Sequence, residues 1–186
     1  MPVVIGAKPE SNFRDPIGLL ADCHRRIERF LSVLVRLAAK ANVREPLGGE
    51  ERIVLDTALR YFREAAPKHT RDEEDSLFPR LRSLNAPEVQ SALSKMEKLE
   101  REHLQMERIH AGVDRLGQEW LAAGTLSPAD AARLSELVSG LADTYREHIA
   151  VEEREVFPAA AALAESDRTG IGGEMARRRG LDQRSW

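Results

Sequence analysis

The sequence predicts an all-α protein, an up-down-up-down four-helix bundle with short N- and C-terminal extensions, and three observations carry that reading. Apolar residues recur at three- and four-residue intervals, as in Ile17, Leu20, Ile27, Phe30, Leu31 and Leu34, in a chain rich in alanine, leucine, glutamate and arginine. Capping and proline signals cut the chain into four long segments joined by short loops. Finally, two halves repeat: HTRDEEDSLFPRL from His69 and HIAVEEREVFPAA from His148 share H-x-x-x-E-E-x-x-x-F-P at a separation of 79 residues. HRRIERF from His24 and HLQMERI from His103 share H-x-x-x-E-R at the same separation.

The elements follow in order. Asp15-Pro16 reads as an N-cap with proline in the first turn, so helix 1 spans about 16–41 and stops before VREPLGG. Helix 2 starts near Glu50, and Pro67 and Pro79 should kink or locally unwind it without ending it. Pro87 opens helix 3, which runs to Ala123 before Gly124. Ser127-Pro128 opens helix 4, which continues past His148 to about Ala164. The expected division is an extension over 1–14, a bundle over 15–164 and a tail over 165–186; the tail is expected to be looser, with a helical turn open to GEMARRRGL, and ARRRG reads by default as a solvated stretch, with contact to an acidic partner as the alternative.

Composition narrows the function classes. With 186 residues, 42% hydrophobic and 32% charged, the chain has the length for one domain with its own core and is too polar for a membrane protein. No stretch of about 18 apolar residues and no secretory start occurs, so a cytoplasmic protein is expected. Both signs of charge are mixed around a net −3, which gives no pull toward nucleic acid. The single cysteine, Cys23, has no internal partner and reads as a buried small hydrophobe.

The histidines carry the chemistry. In an up-down bundle the loop after helix 1 and the loop after helix 3 share one end, and from that end His24, His69, His103 and His148 sit at heights of roughly 26–30 Å. One histidine per helix thus enters one layer. A carboxylate follows each four residues later, namely Glu28, Glu73, Glu107 and Glu152, and that step keeps acid and imidazole on one face. Imidazole and carboxylate together suit iron, manganese or zinc, and carboxylates can bridge two ions. Spacing leaves open which acid of each EE pair binds, the second being turned to about 140°. Glu28 and Glu107 each precede an arginine; Glu107 fits a metal ligand and a surface ion pair equally well, whereas Glu28 fits the surface ion pair better. His110 is too far along its helix to share the metal of His103, and Tyr145 fits a packed core position or a place beside the site. Phe78, Phe157 and Met106 read as core residues that keep the site dry.

These motifs, the histidine in DCHRRI, the two H-x-x-x-E-E…F-P segments and the pair Glu102-His103, resemble the hemerythrin-like proteins of the HHE cation-binding family over residues 15–164. The closing EMARRRG is similar to the ends of bacterial members. The resemblance implies a non-haem di-iron centre, two iron ions held by His24, His69, His103 and His148 with Glu73 and Glu152 spanning them; zinc or manganese are the alternatives. The oxygen-carrying hemerythrins have a fifth histidine four residues after the first on helix 3, where this chain has Glu107. They usually place an aspartate five residues after the helix 4 histidine, whereas Glu152 stands at four. An anionic oxygen in place of an imidazole favours the ferric state, so sensing, storage or redox handling of oxygen, peroxide or nitric oxide is expected over reversible oxygen carriage. Three classes follow: a binding or sensing module, a di-iron enzyme acting on peroxide or nitric oxide, and a metal-free helical interaction domain.

Overall fold

The computed structural model describes residues 11–84 and 86–181. Of the two expected extensions, residues 1–10 and 182–186 lie outside the described residues. The first leg of the bundle is α1 (Pro16–Asn42), capped by Asp15, whose carboxylate accepts from the Gly18 amide at 3.1 Å. The second leg runs through α2 (Gly49–Glu64), α3 (Ala66–Arg71), a π-helical turn (Asp72–Leu77) and α4 (Phe78–Ser83). A 3₁₀ turn at Pro87–Val89 leads into the third leg, α5 (Gln90–Ala123), which ends at Gly124 in the left-handed conformation, φ 80°. The fourth leg is α6 (Pro128–Val151), a second π turn (Glu152–Val156) and α7 (Phe157–Ala159), closed by a 3₁₀ turn over Ala160–Ala162. Ser127 caps α6 by accepting from the Asp130 amide. α1 packs on α2 and α6, and α5 packs on the same two helices, so the four legs form a closed ring. Among the described residues no helix is long and apolar enough to cross a membrane.

The expected proline irregularities are present and have a common cause. A proline has no amide hydrogen, and its ring crowds the carbonyl four residues back. Ahead of Pro79 and Pro158 the helix relieves that crowding by widening: the Phe78 amide donates to the Glu73 carbonyl and the Phe157 amide to the Glu152 carbonyl, five residues back in each case. The repeated F-P is therefore a backbone signal that places a π turn at the first acid of each EE pair.

Two apolar cores stack along the bundle. One contains Ile27, Leu34, Phe62, Met106, Trp120 and Ile149; the other contains Leu20, Phe78, Met96, Leu99, Phe157 and Met175. The buried polar residues His24, His69, Glu73, His103, His148 and Glu152 separate them. Burial of Phe78, Phe157 and Met106 agrees with the sequence, as does burial of Cys23, whose thiol is pushed up to about 11 by burial.

The C-terminal segment differs from a solvated tail. It forms α8 (Glu165–Arg178), which buries Ile171 and Met175 in the second core. Arg178 and Arg179 of ARRRG donate to the carboxylate of Asp72, each at 2.7 Å. Asp72 opens the first π turn and is fully buried. Arg178 also donates to Ser76 Oγ, and Arg80 of α4 makes a two-pronged bond to Glu174 of α8. A composition count sees a basic tail; the folded chain uses that charge to neutralise a buried acid.

Candidate metal centre

Each leg of the ring supplies one histidine to the polar layer, and the π turns supply Glu73 and Glu152. His24, His69, Glu73 and Glu152 bring one potential ligand atom each within 4.8 Å of one another, and so do His103, His148 and Glu152. The carboxylates connect the two groups. Glu73 directs Oε1 to His69 Nε2 at 3.4 Å and to His24 Nε2 at 3.8 Å, while its Oε2 lies 3.5 Å from His103 Nε2. Glu152 directs Oε2 to His24 Nε2 at 3.2 Å and Oε1 to His148 Nε2 at 3.1 Å. Each acid therefore offers one oxygen to each histidine pair.

Outer carboxylates orient the rings. His103 Nδ1 meets Glu74 at 2.8 Å, His148 Nδ1 meets Glu102 at 2.9 Å, and His24 Nδ1 meets Glu153 at 3.0 Å. An ionised carboxylate only accepts, so each of these imidazoles carries a hydrogen on Nδ1 and aims Nε2 inward. The second acid of each EE pair thus has a different task from the first: it reaches across to a histidine on another leg. Sequence spacing missed that task, although the duplication of the second acid was its visible trace.

The interior is short of positive charge. His103 Nε2 and His148 Nε2 face each other at 2.9 Å, a distance at which two lone pairs repel unless a proton or a cation lies between them. Both oxygens of Glu73, both of Glu152 and Nε2 of His24 are buried and make no hydrogen bond among the described residues. Orphaned carboxylate oxygens between two apolar cores are costly unless a cation neutralises them. The proton affinities reflect that demand. Burial opposes charge on His24 and His148, but Glu152 and Glu73 outweigh it and raise them to about 10 and about 9. Burial, together with the charge of Glu152, pushes Glu73 up to about 7. Glu152 is also resisted by burial, yet His148 and His24 hold it below the ordinary carboxylate range. His69 is lowered, first by burial and then by the charge of His24.

The remaining sequence candidates lie apart from these groups. Glu28 and Glu107 are exposed, and neither enters either cluster. Glu107 instead lines a cavity of about 240 Å³ together with His103, Glu74, Arg71, His110 and Tyr145. At its inner end the Tyr145 hydroxyl and His110 Nε2 are 3.0 Å apart. Burial depresses His110 to about 4 and raises Tyr145, so the pair meets as a neutral imidazole and a neutral hydroxyl.

Comparison with known proteins agrees with this geometry. The chain is similar over 174 residues, at 28% identity, to an "Uncharacterized protein" of Haemophilus influenzae, covering 91% of this chain and 92% of that protein. The model of the hemerythrin HHE cation binding domain matches residues 15–160. A hemerythrin-type bundle with a buried histidine and carboxylate cluster of di-metal geometry, matched over most of its length, identifies the chain as a member of the hemerythrin HHE cation-binding domain family.

Proposed function

We propose that this protein binds two iron ions and serves as an oxygen- or redox-responsive binding or sensing protein. In this reading His24 and His69 hold one ion, His103 and His148 hold the other, and Glu73 and Glu152 span the pair. The observation that carries it is the division of each buried carboxylate, one oxygen toward each histidine pair. The nitrogen and oxygen donor set suits iron, with zinc and manganese as competitors. Bound iron would supply reversible electron transfer and affinity for oxygen, peroxide or nitric oxide. The protein's own part is to hold the imidazole rings by their outer carboxylates, to neutralise charge and to keep water out with the two flanking cores. Glu107 we assign to the rim of the cavity beside His103, outside a six-residue ligand set.

Anaerobic reconstitution with ferrous iron, followed by metal analysis and an optical spectrum after exposure to air, tests the reading. About two ions per chain and a near-ultraviolet charge-transfer band are expected. Protein that stays metal-free would overturn it, and would favour a helical interaction domain.

A second reading, a di-iron enzyme, draws on the cavity beside His103 and the Tyr145–His110 pair at its inner end. That pair is placed to hold a proton near a small molecule entering the cavity. Turnover of peroxide or nitric oxide that falls in Tyr145→Phe at unchanged iron content would favour the enzyme. Absence of turnover would leave binding or sensing.

A further inference from the structure

The two halves of the chain repeat at 79 residues, so each outer carboxylate has a counterpart that can be named in advance. Glu74 and Glu153 are such a pair, and they do the same thing: each takes the Nδ1 of the α1 or α5 histidine belonging to the other half. Glu102, which directly precedes His103, takes the Nδ1 of His148. The residue that directly precedes His24 is Cys23, and the histidine it would serve is His69. His69 Nδ1 is buried and makes no hydrogen bond among the described residues. Three imidazoles are anchored and the fourth is not.

The anchoring acids also differ in strength of setting. Glu102 and Glu74, which hold the His148 and His103 rings, are 18% and 32% exposed; Glu153, which holds His24, is 42% exposed. A carboxylate on Nδ1–H fixes the tautomer, aims the ring and makes Nε2 a better donor, and losing one typically costs 10–100-fold in metal affinity. A thiol is a weak acceptor and cannot replace it.

We infer that the two metal positions are unequal, the His103–His148 position retaining its ion and the His24–His69 position holding an exchangeable one, because Cys23 stands where the repeat calls for the partner of His69. This rests on the di-metal reading above. Loss and regain of one ion would then let the protein respond to the supply of ferrous iron while the other ion maintains the fold.

Anaerobic ferrous titration of the full chain against a chromophoric chelator tests the inference. Wild-type protein should bind two ions in two steps. His69→Ala should keep an ion as tight as the first wild-type step, whereas the ion left in His148→Ala should bind about 10–100-fold more weakly. Glu102→Ala, a change on the half-exposed side of α5 that favours helix, should weaken the first step by about the same factor. Cys23→Ala should leave both steps unchanged. Equal affinities in the two histidine variants, the reverse order, or a first step unmoved by Glu102→Ala would overturn the inference. If either histidine variant fails to fold, Glu102→Ala decides alone. Wild-type uptake of fewer than two ions would instead overturn the di-metal reading itself.

Discussion

Asp72 and Arg178, 106 residues apart, are joined at 2.7 Å, and the acid of that pair is completely buried. Asp72 directly precedes Glu73, so the last turn of α8 grips the π turn that carries one of the two shared carboxylates. Removing both Arg178 and Arg179 by alanine substitution leaves the buried Asp72 uncompensated, an expected loss of about 3–5 kcal/mol. Denaturant unfolding should show it, and iron content should fall with it. Unchanged stability would mean that α8 is not the neutralising element.

The stretch before α1 approaches α8 closely and supplies an independent test of packing. A Cβ at Gly172 would meet the Phe13 carbonyl oxygen at 1.9 Å, and backbone atoms cannot step aside as a side-chain tip can. Gly172→Ala is expected to destabilise by about 1–3 kcal/mol, despite the better helix propensity of alanine. In a chain of this size that lowers the melting temperature by about 2–4 °C for each kcal/mol.

The pH dependence follows from two raised histidines. With folded values of about 10 for His24 and about 9 for His148, against 6.5 as the ordinary value, their imidazolium forms stabilise the metal-free protein fully below pH 6.5. That contribution is lost as pH rises through 9 to 10. Metal must displace the same protons, so ferrous affinity should rise about tenfold per pH unit for each proton released. Melting curves at pH 6, 7.5 and 9 should show metal-free protein losing stability while the gain on adding metal grows. A constant gain across that range would contradict the assignment of these imidazoles to the ions.

Glu107 and Glu73 separate the surface acid from the buried one. Glu107→Ala should keep the metal stoichiometry of the parent, because its side chain is exposed and outside both clusters. Glu73→Ala removes the oxygens that face both histidine pairs and should lower it sharply. Metal analysis after identical reconstitution distinguishes them. Equal losses would return Glu107 to the ligand set.

The four legs, their caps, the layer of histidines and the acid one turn beyond each were legible in the linear order of residues, because helix period, proline and capping chemistry act within a few positions. Asp15 and Ser127 cap where the sequence places them, and the twin F-P motifs mark the widened turns. Legibility ended where a side chain's partner lies on another leg. Nothing local tells Glu74 to hold His103 rather than face water, or tells Glu28 and Glu107 to stay outside while Glu73 and Glu152 turn inward. The same limit hid the docking of α8, since Arg178 and Arg179 look like a solvated charge run until folding brings them to a buried Asp72. Helical periodicity assigns a residue to a face, but the packing of the four legs selects which face becomes interior and which charges must then find one another, and that selection is made by burial, whose cost for an unpaired charge is set by the whole fold.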